Sequence, residues 1–426
     1  MANIGRRLVF KSLQMCFILL WHTKLDFFIS KFIGIVTVAY NKKEFSKNKN
    51  KKAILAMERG VFDYDVKAIK EYPSNYIIVI YPTLARALLS DEAEWLIPEE
   101  ILEQTAFYKN KDKYTWLYDR FSKIYTKALD TMNAFGNIDV KIVLTANIDY
   151  FQDYPWIKAI HNKNGKFVVL EKESIVYLYT DKKTISARHK KYDFKFEGDA
   201  VFFYNYLGRD TYVEAGSVKP SQAHVTGCPR VDSLIEILNK KTKKQDIAVV
   251  ATFMQPYYFA TKVWDEIINS IYSDELLRKK TIIKCKDKSE VTEVNSKFPG
   301  INAVCDSLGK YLVKNPTIFV GYNSTACYDA LIAGITLMIP FWGETHKQGN
   351  DALVGKHTSN FHHLAKNKSE FIRILKDYIK GDTANYKKFG NVFDDKKLKE
   401  FLEQRYSRVD GNNCKRFYEK IDKILK

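Results

Sequence analysis

Short runs of apolar residues alternate with helical patterns along most of the chain. From residue 52 to residue 240, six runs predict strands, namely KKAILAMERG, NYIIVIYPT, VKIVLTANID, KFVVLEKES, AVFFYNYLG and AHVTGCP. Helical patterns such as FDYDVKAIKEY, YPWIKAIHNKNG and VDSLIEILNK lie between or after them, and residues 83–137 are mostly helical. Continuous apolar strands separated by helices are typical of parallel sheets that are covered on both faces.

The alternation restarts after a polar stretch, KKTKKQD at 240–246, which is predicted to be a linker. Five more runs predict strands: IAVVATFM, TIIKCKDK, INAVCDS, TIFVGYN and ITLMIPF. Helices are predicted between them at 258–279, 289–297, 308–314 and 324–333. The whole pattern predicts an α/β fold with two doubly wound, Rossmann-like domains, at 52–240 and 241–392. Ligands of such sheets bind outside the carboxyl ends of the strands, so we expect a site in the cleft between the domains.

Residues 1–51 are predicted to form a separate helical segment. The stretch CFILLWHTKLDFFISKFIGIVTVAY at 16–40 is apolar, but His22, Lys24, Asp26 and Lys31 interrupt it. No run therefore reaches the roughly 20 apolar residues that a membrane span needs. No small-residue cleavage site follows the stretch, so a signal peptide is not expected. We predict a helix that docks on the protein or lies in a membrane interface.

The length and the net charge of the chain limit the number of domains and the kinds of partner that we expect. A chain of 426 residues is too long for one compact core, which agrees with two domains. The net charge of +18 indicates either lysine-rich solvated faces or attraction to anionic membranes or nucleotide-linked substrates. Zinc-finger, RNA-recognition and arginine-rich patterns are absent from the sequence, so nucleic acid is not an expected partner. Six cysteines without a CxxC pair predict reduced, buried thiols in a cytoplasmic protein.

The stretch TIFVGYNSTACYDALIAG at 317–334 is one candidate site. The predicted strand ends near Asn323, and the following helix begins at Ser324 and Thr325, with Ser324 as its N-cap. The free amides of the first turn and the helix dipole would bind a phosphate group. An ordinary capped helix explains the same pattern equally well.

Two further stretches of the second domain could contact a ligand. In IIKCKDKSE at 282–290, Lys284 and Lys286 would share a strand face and could neutralise a phosphate leaving group. A solvated lysine run is the alternative. In VVATFMQPYYFA at 249–260, Thr252 and Gln255 lie in the first loop between a strand and a helix. This loop has no glycine-rich fingerprint, so dinucleotide binding is not expected.

Two stretches of the first domain carry carboxylates at predicted strand ends. In VVLEKESIV at 168–176, Glu171 or Glu173 could serve as a base, although a surface strand end is the alternative. In HVTGCPRVDSL at 224–234, Arg230 and Asp232 lie where a strand turns into a helix. Asp232 is either a first-turn carboxylate paired with Arg230 or a residue of the interdomain site.

The stretches VTGCPRVDSL and NPTIFVGYNSTACYDALIAGI resemble the GT-B glycosyltransferases of bacterial surface-polysaccharide assembly. The resemblance covers residues 52–390, and GCPRVD together with LEKES is most similar to the retaining β-Kdo transferases, which use CMP-Kdo. It implies a GT-B architecture with two domains facing across a cleft. It also implies that helices at 393–426 return to the first domain.

The resemblance implies roles for the candidate residues. Asp232 would be the nucleophile that attacks C2 of Kdo, which gives a covalent intermediate and retention of configuration. The CMP phosphate would leave toward Ser324–Thr325 and Lys286. Arg230 would hold the Kdo carboxylate or orient Asp232, and Glu173 would be the base for the acceptor hydroxyl.

Many relatives carry a His-Pro pair after the second strand of the nucleotide domain. This sequence has KCKD at 284–287 in its place. This departure indicates a different phosphate ligand or a different donor. No Asp-x-Asp motif is recognised in the sequence, so neither a divalent metal nor another cofactor is implied.

The expected partners are a sugar-nucleotide donor and a glycan or lipid-linked oligosaccharide acceptor of lipopolysaccharide O-antigen or capsule biosynthesis. The expected location is cytoplasmic, at the inner face of the membrane. The alternatives on the same fold are a transferase that uses CDP-glycerol or a UDP-sugar, and a UDP-sugar epimerase. A non-catalytic module of a larger synthase is a further alternative.

Overall fold

The computed structural model describes residues 2–47, 51–57, 62–86, 111–171, 187, 194–240, 243–251, 261–322, 324–347 and 358–426. The chain divides into two compact units, one formed by Met1–Arg230 with Asn412–Lys426 and the other by Val231–Gly411. Each unit contains a six-stranded parallel sheet flanked by helices. The predicted α/β class with two doubly wound sheets is therefore confirmed. The predicted domain boundaries stay predictions.

The sheet of the first unit has the strand order β2-β1-β3-β4-β5-β6. Its central strands are buried on both faces, as in β1 where Ile54 and Leu55 are fully buried. Helices on both sides exclude water from such a sheet, which is why its strands read as continuous apolar runs. The strands are β1 Lys52–Met57, β2 Tyr76–Tyr81, β3 Asp139–Thr145, β4 Lys166–Glu171, β5 Ala200–Phe203 and β6 Ala223–Val225.

The described helices that begin in the first unit are α1 Ala2–His22, α2 Asp26–Tyr40, α3 Lys42–Lys47, α4 Phe62–Glu71, α5 Thr83–Arg86, α6 Thr115–Gly136, α7 Tyr154–His161, α8 Tyr206–Glu214 and α9 Arg230–Asn239. Short 3-10 turns at Lys111–Tyr114 and Phe151–Asp153 precede α6 and α7. The last helix of the chain, Asn413–Ile424, also packs on this unit, where the Tyr418 hydroxyl donates to the Ile69 carbonyl at 2.8 Å.

The N-terminal helices α1 and α2 are docked on the first unit. Trp21 and Ile29 are buried in its core, and Trp21 packs against Phe121 of α6 with ring centroids 5.0 Å apart. Gly34 lets α2 approach α6 closely, since a Cβ atom there would lie 2.5 Å from the Thr131 side chain. Within the described ranges, no helix combines the length and apolarity that a bilayer crossing requires.

The sheet of the second unit has the strand order β12-β11-β10-β7-β8-β9. Its sixth strand, β12, was missed by the sequence analysis because His363–Ala365 is too short to give an apolar run. The first strand begins at Gln245, inside the stretch predicted as a linker. The strands are β7 Gln245–Ala251, β8 Thr281–Lys284, β9 Ala303–Val304, β10 Pro316–Val320, β11 Thr336–Pro340 and β12 His363–Ala365.

The other described helices of the second unit are α10 Thr261–Ser273, α11 Glu275–Lys280, α12 Lys288–Lys297, α13 Leu308–Leu312, α14 Thr325–Ile332, α15 Gly343–Lys347, α16 Lys368–Lys380 and α17 Lys396–Tyr406. Helix α17 packs on α14, where the Arg405 Nε donates to the Tyr328 hydroxyl at 3.3 Å. The final helix, Asn413–Ile424, is α18.

None of the six cysteines, all of which lie within the described residues, forms a disulfide bond. Cys228, Cys285, Cys327 and Cys414 are buried, as the sequence predicts, whereas Cys305 is partly exposed and Cys16 is exposed on α1. Burial raises the pKa of the Cys327 thiol to about 12, so this side chain acts as a small apolar group in the core.

Candidate functional site

One candidate site lies at the carboxyl edge of the second sheet. The chain proceeds from β7 to β8 and β9 on one side, and then builds β10, β11 and β12 on the other. The order reverses between β7 and β10, and ligands of doubly wound sheets bind outside the carboxyl ends of the strands at such a point. Thr252 and Gln255 follow β7, but they and Asn323 lie outside the described residues.

The strand β10 leads directly into helix α14 at this edge. Gly321 is required at the turn, because a Cβ atom there would lie 2.7 Å from the Cys327 Sγ. The Ser324 Oγ accepts a hydrogen bond from the Ala326 amide at 3.2 Å, which confirms the predicted N-cap. Because its hydroxyl is engaged in the cap, Ser324 would contribute to an anion site through the backbone and the dipole of α14.

The lysines of KCKDK lie where β8 ends. The strand β8 ends at Lys284, so Lys286 is not part of the strand. The prediction that Lys284 and Lys286 share one strand face therefore does not hold. Lys284 is half-buried, and its Nζ donates to the Cys285 carbonyl. Burial lowers the pKa of the Lys284 ammonium, while the nearby thiols and carboxylates oppose this shift. Lys286 is exposed, so it is the lysine that solvent or a ligand reaches more readily.

The acidic residues of the same stretch cap the next helix. Asp287 accepts the amides of Ser289 at 2.9 Å and Glu290 at 3.0 Å, and the Glu290 carboxylate accepts the Lys286 amide. This reciprocal arrangement resembles a capping box. Asp287 and Glu290 therefore have a structural role, and they fix the backbone from which Lys286 projects.

The turn between β6 and α9 contains a buried ion pair. The Arg230 Nη1 lies 3.1 Å from the Asp65 Oδ2, and their side chains are 6% and 0% exposed. Asp65 belongs to α4, and its Oδ1 also accepts the Arg230 amide at 3.1 Å. One carboxylate thus neutralises the guanidinium and caps the first turn of α9.

Asp65 accepts two more hydrogen bonds, from the Tyr204 hydroxyl at 2.6 Å and the Cys228 thiol at 3.3 Å. Burial raises the pKa of the Tyr204 phenol well above its usual value, so the phenol remains a donor. Asp63-Tyr64-Asp65 is an Asp-x-Asp triplet, so the interpretation that the sequence has no such motif was wrong. Asp65 is fully buried in this internal network.

Asp232 lies two residues further along, in the first turn of α9, and is partly exposed. The adjacent Arg230 is buried, so the two residues differ in their access to solvent. The turn therefore has a buried anchor in Arg230 and a partly accessible carboxylate in Asp232.

Glu171 at the end of β4 is not at the surface, although a surface strand end was one interpretation of this stretch. Glu173 lies outside the described residues. Glu171 is fully buried, and its Oε2 accepts the Ile148 amide at 3.0 Å. Glu171 therefore holds the loop that follows β3.

No protein-family model matches this chain, and no curated protein matches it. Among solved structures, the chain is similar to the UDP-GlcNAc 2-epimerase from Methanocaldococcus jannaschii, with 10% identity, a TM-score of 0.44, and coverage of 88% of this chain and 99% of that chain. It is also similar to the wall teichoic acid polymerase TagF, with 10% identity, a TM-score of 0.46, and coverage of 94% and 98%. At this distance the likeness assigns no activity to the chain.

Proposed function

We propose that this protein is a GT-B glycosyltransferase that transfers Kdo from CMP-Kdo to a glycan or lipid-linked acceptor, with retention of configuration. The pathway would be lipopolysaccharide O-antigen or capsule biosynthesis. The observation that carries the proposal is the carboxyl edge of the second sheet. There the capped start of α14 follows β10, and the half-buried Lys284 ends β8. The strand β7 therefore lies between two features that favour the binding of an anion.

The proposed reaction has two displacement steps. In the first, an oxygen of the Asp232 carboxylate forms a bond to C2 of Kdo. The bond between C2 and the phosphate oxygen breaks, and CMP leaves with the electron pair. In the second, the acceptor hydroxyl loses its proton to a base, attacks C2 and releases the Asp232 carboxylate. Two inversions give net retention.

The other residues have supporting roles in this proposal. Lys286 and the amides of Ser324–Thr325 would stabilise the phosphate of the leaving CMP, and Glu173 is the proposed base. Arg230 is a positioning residue, because its bond to Asp65 anchors the turn that carries Asp232.

A panel of nucleotides tests the donor. We expect CMP to raise the melting temperature of the protein more than CDP or UDP, because a ligand that binds the folded state stabilises it by mass action. Lys286→Ala should weaken CMP binding by about tenfold, as expected for loss of a charged hydrogen-bond donor. Lys279→Ala is the matched control, since Lys279 precedes β8 at the opposite edge and its side chain is 69% exposed.

The alternatives give different outcomes in the same assay. Preference for UDP would contradict the Kdo proposal and favour a UDP-sugar transferase or an epimerase. Preference for CDP would favour a CDP-glycerol-type transferase. An epimerase would also convert its sugar nucleotide without any acceptor.

The N-terminal helices support the proposed membrane association. Seven of the thirteen exposed large hydrophobic side chains of the described residues lie between Met15 and Tyr40. Lys31 lies over the exposed rings of Phe27 and Phe135, at 5.5 and 5.7 Å from their centroids. An exposed apolar surface with cationic groups fits an anionic bilayer interface.

The acidic residues of the same segment are paired. Asp26 lies 2.8 Å from Arg120, and Glu44 lies 2.9 Å from Lys70. The other charged residues between positions 1 and 47 are lysines and arginines. The surface is therefore positive where its apolar side chains are exposed, and we propose that it rests on the inner face of the cytoplasmic membrane.

We expect the protein to sediment with vesicles made of equal parts phosphatidylcholine and phosphatidylglycerol. Replacing both Phe27 and Phe28 with serine should weaken this binding by about tenfold or more. Each ring stabilises the bound state when it moves from water into the bilayer interface, and serine has no apolar ring to contribute. Phe393→Ser is the matched control, since Phe393 is 53% exposed and far along the chain. Equal sedimentation of all three proteins would contradict the proposed surface.

A further inference from the structure

Two cysteines lie side by side where the paired strands β8 and β9 end. The two strands are parallel. The Ile283 amide donates to the Asn302 carbonyl at 2.9 Å, and two residues later the Cys285 amide donates to the Val304 carbonyl at 2.7 Å. In this ladder each amide of β8 bonds to the residue that precedes its own partner on β9. The ladder therefore continues past the ends of the strands, and the partner of Cys285 is Cys305.

Paired residues of neighbouring strands are close enough for a disulfide bond. Such strands are about 4.8 Å apart, and the Cα atoms of disulfide-bonded cysteines are about 4.4–6.8 Å apart. Paired residues also direct their side chains to the same face of the sheet. The ladder thus places the side chains of Cys285 and Cys305 on one face, at a backbone separation that a disulfide bond can span.

The Lys284 ammonium lies near both cysteines. Burial lowers the pKa of Lys284, while electrostatic interactions with Cys285 and Cys305 oppose this shift. The Lys284 Nζ also donates to the Cys285 carbonyl, which holds the ammonium at the end of β8. Thiol–disulfide exchange proceeds through the thiolate, and a neighbouring cation favours that form. The cysteine pair therefore has a group beside it that promotes exchange.

The two cysteines differ in their access to solvent. Cys285 is fully buried, whereas Cys305 is partly exposed. The strand order explains this difference, because β8 lies between β7 and β9, while β9 is the last strand on its side of the described sheet. A dissolved oxidant would reach Cys305 first. Redox-sensitive sites commonly combine an accessible thiol with a second, resolving thiol beside it.

From these observations we infer that Cys305 and Cys285 form a reversible redox site that reacts with a low-molecular-weight disulfide such as glutathione disulfide. Cys305 is the attacking thiol, and Cys285 is the resolving thiol. The disulfide bond between them forms at the carboxyl end of β8, next to Lys284. The inference does not depend on the proposed donor or acceptor.

The reaction consists of two exchange steps. In the first, the Cys305 thiol loses its proton, and its sulfur attacks one sulfur of glutathione disulfide. The bond between the two glutathione sulfurs breaks, and one glutathione leaves with the electron pair. In the second, the Cys285 thiolate attacks the Cys305 sulfur and releases the other glutathione. Two protein thiols are oxidised, one glutathione disulfide is reduced, and the two protons end on the two glutathione thiols.

The test uses the full-length protein with Cys16→Ala as the parent, because Cys16 is exposed and would react by itself. The chain has six cysteines, so the parent has five. After incubation with glutathione disulfide, alkylation with N-ethylmaleimide in denaturant should detect two fewer free thiols than before. Peptide mapping should find Cys285 linked to Cys305, and dithiothreitol should restore all the thiols.

Substitutions in the parent test the order of the two steps. Cys285→Ala should stop the reaction after the first step, so intact-protein mass spectrometry should show one glutathione attached to Cys305. Cys305→Ala should lose no free thiol, since an oxidant does not reach the buried Cys285. Cys327→Ala is the matched control, because Cys327 is also buried near the carboxyl edge of the same sheet. It should form the disulfide bond as the parent does.

Four results would overturn the inference. The parent keeps all its thiols, the bond maps to other cysteines, Cys285→Ala carries no glutathione on Cys305, or Cys305→Ala loses thiols as the parent does. Melting temperatures are compared first, because unfolding exposes every thiol. If a variant fails to fold, the parent decides alone, since the thiol count and the mapped peptide require no substitution at either cysteine.

Discussion

Replacing Arg230 with methionine is expected to lower the free energy of unfolding by about 3–5 kcal/mol, the range measured when one partner of a buried ion pair is removed. The reason is that Asp65 is fully buried, and without the guanidinium its charge has no neutralising partner at 3.1 Å. The Tyr204 hydroxyl and the Cys228 thiol would remain as hydrogen-bond donors, but neither carries a positive charge. Urea denaturation of the purified variant measures the change.

The double variant with Asp65→Asn and Arg230→Met should recover part of this loss, because it removes both charges. The double-mutant cycle then gives the interaction energy of the pair. Arg209→Met is the matched control, since Arg209 is 35% exposed and lies 2.6 Å from Asp210. An exposed pair contributes about 0–1 kcal/mol. If Arg230→Met destabilised the protein as little as Arg209→Met, the stabilising role of the pair between Arg230 and Asp65 would be contradicted.

The buried pair of Arg230 and Asp65 also affects how the activity of Arg230 variants is interpreted. An Arg230 variant that fails to transfer sugar shows little about catalysis if its fold is lost. A positioning role for Arg230 requires that activity be compared at equal fractions of folded protein. It also requires a readout that a stability loss alone would not change, such as the pH dependence of kcat.

The fold was predictable because buried parallel strands appear in the sequence as continuous apolar runs. Residues 53–57 of β1 and 318–320 of β10 are continuous buried apolar runs, since helices cover both faces of each sheet. The strand β12 left no such trace, because it has three residues and only Ala365 is fully buried. The start of β7 was missed because Gln245 and Asp246 are exposed and read as a linker.

The local features of the site were predictable, but the long-range ones were not. The cap at Ser324 depends on residues within one helical turn, which sequence patterns report well. The bond between Arg230 and Asp65 joins residues 165 positions apart, so nothing in GCPRVD indicates it.

Asp232→Ala is expected to keep the fold and lose transfer. Loss of a catalytic nucleophile lowers kcat by on the order of 10⁴–10⁶-fold. The stability cost should be small, because a first-turn carboxylate contributes about 0.3–1 kcal/mol through the helix dipole. Asp232 is also partly exposed, so its removal leaves no large cavity. Intact-protein mass spectrometry after incubation with CMP-Kdo, without acceptor, measures the intermediate directly.

A mass gain of one Kdo residue should appear in the wild type and be absent from Asp232→Ala. Glu236→Ala is the matched control, because Glu236 lies one turn further along α9 and its side chain is 66% exposed. That variant should form the intermediate as the wild type does. Unchanged turnover in Asp232→Ala would contradict the nucleophile role and would indicate that this carboxylate only stabilises the start of α9. A mass gain that persists in Asp232→Ala would instead place the covalent bond on another residue, which peptide mapping would identify.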